Sequence, residues 1–194
     1  MADLFVEDRA HEAFLRPLLQ RVAGERKKAV DLRIRSARGG HGRVLSELDL
    51  YQRAISKHPG SLALPDLLVV GTDANCRSHQ VARKDVETRL GDAFRLRTVV
   101  ACPDPHIERW FLADAEAVRR VIGGRASVQK SKCERNYYKA MLRQAVVEGG
   151  QVSTLGGIEF APELVAAMDF YRAGKVDHSL KFFLDEIRTA LDRF

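Results

Sequence analysis

The stretch Asp66-Leu-Leu-Val-Val-Gly-Thr-Asp-Ala-Asn75 decides how the chain folds. Leu67 to Val70 are apolar without a break, the pattern of a strand buried on both faces. Gly71 ends the run, and Asp73 and Asn75 follow directly. In an open α/β sheet, ligands bind just beyond the carboxyl ends of the strands, which is where Asp73 falls. The opening of the chain repeats the form, with Ala2-Asp-Leu-Phe-Val6 as a short hydrophobic run closed by Glu7-Asp8. Two such strands side by side bring Glu7 and Asp73 to one sheet edge.

The segments between and beyond these runs read mostly as helices. Ala10, Phe14, Leu18 and Val22 recur every four residues and predict a helix over 10–23, kinked at Pro17. Residues 28–36 alternate, with Val30, Leu32 and Ile34 on one face and Asp31, Arg33 and Arg35 on the other. That is a half-exposed strand with a basic outer face. Val44, Leu48, Tyr51 and Ile55 mark a second helix, stopped by Pro59-Gly60. Ala82, Val86, Leu90 and Phe94 mark a third, and Leu96 to Ala101 a further strand. Helix–strand alternation implies a mainly parallel sheet. Asp104 is placed to cap the next helix, with Pro105 in its first turn. Beyond about residue 126 the pattern is helical only, over 133–148, 162–173 and 178–193. The expected organisation is an α/β domain over 1–125 and a helical region over 126–194 packed on it.

Hydrophobic content of 45% and charged content of 30% over 194 residues suit an ordinary globular core. No apolar stretch approaches the ~20 residues that span a bilayer. The first residues lack the pattern of a signal peptide, so the expected location is cytoplasmic. Cys76, Cys102 and Cys133 are too scattered for a zinc site. The net charge of +6 is unevenly spread: residues 26–57 carry nine Lys/Arg against three acids, and 125–143 six against one. Two basic blocks suit either a polyanionic partner or plain solvated surfaces.

Glu7 and Asp73 are the leading chemical candidates. Each has the plainer role of capping the helix that follows it. As a pair they repel, and a divalent cation relieves that; Mg²⁺ favours one or two carboxylates with water and substrate phosphates. Glu108 sits in a helix's first turn, where the macrodipole favours an acid, or else completes a second metal position. Arg38, His41 and Arg43 lie among glycines, in a loop able to grip an anion or simply to move. Lys130, Lys132 and Lys139, with Arg135, Tyr137 and Tyr138, suit phosphate contact with base stacking or an exposed basic face. Trp110 and Phe111 read as packing residues.

Phe5-Val-Glu7 followed by Glu12, then Val70-Gly-Thr-Asp-Ala-Asn75, resembles the Toprim domain. Pro103-Asp-Pro-His-Ile-Glu-Arg-Trp-Phe-Leu-Ala-Asp114 is similar to a stretch of the bacterial Toprim-like family designated domain of unknown function 4276. The resemblance covers roughly residues 2–125. It implies a Toprim-like (Rossmann-like) fold and a Mg²⁺-dependent nuclease, with Mn²⁺ as a substitute ion. Relatives include nucleases of the overcoming-lysogeny-defect type, some acting in phage defence beside an ATPase. Carried over, Glu7 is the general acid/base, Asp73 a metal ligand, and Asn75 stands where the family has a second aspartate. An amide there brings no charge, so the alternative is a non-catalytic module that binds nucleic acid or a partner protein. A receiver-like domain phosphorylated at Asp73 is the weakest reading, because its lysine and hydroxyl partners are missing from the expected places.

Overall fold

Three short apolar runs and the alternating segment pair into a parallel sheet at the centre of the molecule. The computed structural model describes residues 1–37, 39–59, 61–126, 131, 134 and 136–193. Among these, strands β1 (Ala2–Val6), β2 (Leu32–Ser36), β3 (Leu67–Gly71) and β4 (Thr98–Ala101) lie in the order β2-β1-β3-β4. The register pairs Val6 with Gly71, so β1 and β3 end level with one another.

The helices between the strands are α1 (Arg9–Glu25), α2 (His41–Lys57), α3 (His79–Glu87) and the single turn α4 (Asp92–Arg95). After β4 come α5 (Ile107–Phe111), α6 (Ala115–Val121), α7 (Tyr137–Glu148), a 3₁₀ turn (Ile158–Phe160), α8 (Ala161–Ala167), α9 (Phe170–Val176) and α10 (His178–Leu191). Strand alternation divides the apolar side chains into two cores. Leu4, Val6, Leu67 and Val69 pack with Phe14 and Leu18 of α1, Trp110 and Phe111 of α5, Leu142 of α7 and Phe183 of α10. Phe5, Leu68 and Val70 pack on the other face with Val44, Leu48 and Val86. The result is a three-layer α/β arrangement in which the C-terminal helices share the larger core with α1 and β1. Trp110 stacks on Phe183 and donates its indole N–H to Ser179 Oγ at 2.9 Å, which satisfies a polar atom that burial would otherwise strand.

Several local expectations change in the folded chain. The helix expected across 82–94 is two pieces, α3 and α4. The segment expected as one helix over 162–173 breaks after Ala167, and Asp169 caps α9 by accepting from the Tyr171 and Arg172 N–H groups. Arg33 and Arg35 do not form a free outer face: both bind Asp3, a fully buried acid in the middle of β1 that also accepts from Tyr51. Asp104 does not cap α5; the first free N–H of that helix, Ile107, donates instead to Asp73 Oδ1 at 2.9 Å.

The turn after α7 crosses the turn after α6 at backbone contact. A Cβ at Gly149 would lie 1.9 Å from the Ile122 carbonyl oxygen, whereas one at Gly24, inside α1, meets nothing within 4 Å. Gly149→Ala is therefore expected to destabilise by about 3 kcal/mol. Gly24→Ala is expected to stabilise by roughly 0.4–1 kcal/mol through the unfolded chain. Urea unfolding of both variants checks the pair.

Candidate active site

In the order β2-β1-β3-β4 the connections leave β1 and β3 in opposite directions, which makes the gap between those two strands the topological switch point. Glu7 and Asp73 both stand there. Glu7 N–H donates to Gly71 O at 3.0 Å, extending the ladder by one residue. The Glu7 carboxylate then turns across β3: Oε2 accepts from the Thr72 hydroxyl at 2.7 Å and from the Asp73 N–H at 3.0 Å. Since the Thr72 proton points at Glu7, the 2.8 Å contact between Thr72 Oγ1 and His41 Nδ1 is donated by the imidazole. His41 Nε2 in turn accepts from Arg77 Nη2 at 3.1 Å. Glu7 Oε1 takes no hydrogen bond from any described residue and faces Gly40, where an added Cβ would lie 3.7 Å away.

Asp73 is occupied differently. Its carboxylate meets His106 Nδ1 at 3.1 Å through Oδ2 and the Ile107 N–H through Oδ1. His11 Nε2 lies 3.2 Å from Oδ1 but off the line of a hydrogen bond, so that contact is one of charge. His11 is wholly buried, and its Nδ1 is held by Asp8 Oδ1 at 2.8 Å. Burial opposes the charged form of His11, yet the carboxylates of Asp73 and Asp8 overcome it and hold the imidazole well above its ordinary range. Burial likewise works against ionised Asp73, and the His11 and His106 cations hold it low. The Asp73 hydrogen bond raises His106 against a smaller burial effect. The backbone fixes this meeting: Ala74 N and Asn75 N donate to Pro103 O and Pro105 O, both at 2.9 Å, tying the loop after β3 to the one after β4.

Glu108 follows Ile107 in α5 and is 3% exposed. Burial, with the charge of Asp73, pushes its carboxyl up. Lys139 Nζ stands 3.8 Å from Oε1, and Oε2 has no hydrogen-bond partner. Of the basic residues singled out in the sequence, His41 belongs to the Glu7 network and Arg43 is exposed and paired with Glu47. Lys139 reaches the Glu108 side of the site. Arg38, Lys130, Lys132 and Arg135 lie outside the described residues. Glu12 serves the first turn of α1.

A Mg²⁺ or Mn²⁺ ion shared by Glu7, Asp73 and Asn75 does not fit this arrangement. Asp73 Oδ1 is taken by a backbone N–H and faces one imidazole, while Oδ2 is taken by the second. Both imidazoles are held toward their cationic forms, which oppose a further cation. Asn75 is exposed and turns its amide N–H back to Asp73 O at 3.3 Å. Among the described residues, no three His, Cys, Asp or Glu side chains are gathered as metal ligands. No known protein family, curated protein or solved structure matches the chain.

Sequence reasoning missed Asp8, His11, Thr72 and His106. His11 carried a signal, because it lies in the apolar stripe of α1 one turn before Leu15. A titratable group on a buried face needs a partner. The sign of its contribution follows from its raised pKa: stability is fully present below about 6.5, the unfolded imidazole value, and is lost as pH rises through the folded value. Asp73, being depressed, contributes above about 3.9 and loses its part as pH falls through its own folded value. Scanning calorimetry is therefore expected to show a melting temperature that declines toward alkaline pH. In His11→Gln that decline is expected to be reduced, with about 3 kcal/mol lower stability at mildly acidic pH from the broken buried pair.

Proposed function

We propose that the chain is a Toprim-like nuclease that hydrolyses phosphodiester bonds of DNA or RNA at the β1–β3 switch point. One juxtaposition supports this reading most. Glu7 is fixed through one oxygen with the other open, and the residue whose N–H it accepts, Asp73, holds the partly exposed imidazole of His106 through its carboxylate. A fixed base beside a fixed acid is what transfer of a phosphoryl group to water requires at neutral pH.

In this mechanism Glu7 Oε1 receives the proton of the attacking water, while Thr72 and the Asp73 N–H keep the carboxylate from turning. His106, bound to Asp73 through Nδ1, presents Nε2–H to the leaving oxygen. Its charge also offsets the charge that builds on the phosphate. His11 is too deeply buried to touch substrate and acts as a positioning residue, keeping Asp73 ionised and in place. His41 helps to hold the Glu7 carboxylate in place through Thr72. Arg9, Lys139 and Arg143, which line one cleft beside these groups, provide contacts for the strand's phosphates. A role as the effector of a phage-defence system, beside an ATPase, extends the proposal from the resemblance in residues 2–125.

A second reading, a binding module without catalysis, is favoured by the commitment of both Asp73 oxygens and by the neutral Asn75. Cleavage of end-labelled single- and double-stranded DNA and RNA, with Mg²⁺ supplied and withheld, separates the two. Glu7→Gln and His106→Gln are each expected to lower the rate by roughly 10²–10⁴-fold, the usual worth of a general base or acid, with affinity for the strand kept. Wild-type protein that binds but cuts none of the four substrates would instead establish the binding module. For either reading, log affinity is expected to fall with log salt by about 0.7 per phosphate neutralised on a single strand, or 0.9 on B-DNA. Arg143→Glu is expected to reduce that slope by about 1 or more.

A further inference from the structure

Beside the acid/base cluster is a cleft of about 670 Å³, within the ~300–1,000 Å³ range of sites that enclose a small ligand. Its walls are the first residues of α1, the outward face of α7 and the segment just before the 3₁₀ turn; Glu108 also lines it. Two of its lining residues connect it to the proposed chemistry. Asp8, which lines the cleft, holds His11, and Glu108 follows the residue whose N–H binds Asp73.

The buried acids Asp3, Asp114 and Asp177 each have a cation within 3.2 Å. Glu108 is as deeply buried, but its nearest described cation is 3.8 Å away and its Oε2 is unpartnered. An unmade hydrogen bond at a buried acid is costly, because the group has given up water without a replacement. A group that brings a donor into the cleft would recover it. The rim supplies opposite chemistry, with Arg9, Lys139 and Arg143 as cations, while Leu155 and Ile158 add apolar surface. A ligand that fits therefore has an anionic end, a flat apolar body and an N–H donor at its edge.

A nucleotide has all three. We infer that the cleft holds one unpaired nucleoside of the strand being cut, its base edge donating to the Glu108 carboxylate and its flanking phosphates lying on Arg9, Lys139 and Arg143. This rests on the reading of the neighbouring groups as a nuclease site. It deepens that reading by naming the substrate class: a base whose edge is engaged by Glu108 cannot also be paired, so the substrate is a single strand or an unpaired segment.

The test uses the full chain and the four ribonucleoside 5′-monophosphates as probes, with inorganic phosphate as the anion-only control, in titration calorimetry. At least one nucleotide is expected to bind ten-fold or more tightly than phosphate. Ala140 lines the cleft from the exposed surface of α7, so Ala140→Trp fills it without entering the core. Ala140→Trp and Glu108→Gln are both expected to erase the preference for nucleotide over phosphate, with unchanged melting temperature for Ala140→Trp confirming the fold. Wild-type protein is also expected to cut a single strand at least ten-fold faster than its duplex. Nucleotide binding no tighter than phosphate, or a preference that survives Ala140→Trp, overturns the inference even where cleavage is observed. Nucleotide binding that Ala140→Trp abolishes, without cleavage of any strand, upholds the cleft assignment and overturns the hydrolytic reading alone.

Discussion

One carboxylate, that of Asp73, joins three parts of the fold at a single point. It stands one residue beyond Thr72 at the end of β3, receives the first free N–H of α5, and neutralises His11 from α1 and His106 from the loop after β4. Burying a carboxylate alone is costly, and burying a histidine cation alone is costly too. Together, with Asp8 behind His11, they form a network in which each charge is opposed by its neighbour. Removing any one member leaves another charged and buried, which is the situation that costs most.

The same logic operates further back along β1, at Asp3. A carboxylate in the middle of a buried strand is tolerated because β2 places Arg33 opposite it in register and Arg35 two residues further on the same side, and Tyr51 of α2 closes the remaining side. Burial works against ionisation of Asp3, and the two guanidinium groups with the Tyr51 hydroxyl outweigh it. Part of the basic surplus of residues 26–57 is thus spent inside the molecule. Arg9, Lys139 and Arg143, which lie outside that block, stand together at one cleft.

Glu7 and Glu108 show how position separates two acids of the same type. Glu7 ends a strand, receives two hydrogen bonds on one oxygen and keeps the other open. Glu108 lies in the first turn of a short helix, and its Oε2 is buried without a donor. The first environment holds a carboxylate in one orientation; the second leaves a buried carboxyl oxygen without a donor. Neither difference is visible in residue type.

By itself the sequence determined the α/β class, the near-coincident ends of β1 and β3, and the helices whose apolar residues recur at a period near 3.6. These follow from local patterns: an unbroken apolar run can satisfy burial on two faces only as an inner strand, and a four-residue recurrence can bury one face only as a helix. It also placed Glu7 and Asp73 at one edge, since each closes its strand and parallel neighbours end together. Only the tertiary structure decided where their carboxylates turn. Which groups meet Asp73 depends on the loop after β4 crossing the loop after β3, through hydrogen bonds between Ala74 and Pro103 and between Asn75 and Pro105. Those contacts join residues some thirty positions apart and leave no period in the chain. For the same reason Arg33 and Arg35 read as an outer face: alternation tells which residues share a side of a strand, whereas the burial of that side is set by the helix that packs over it.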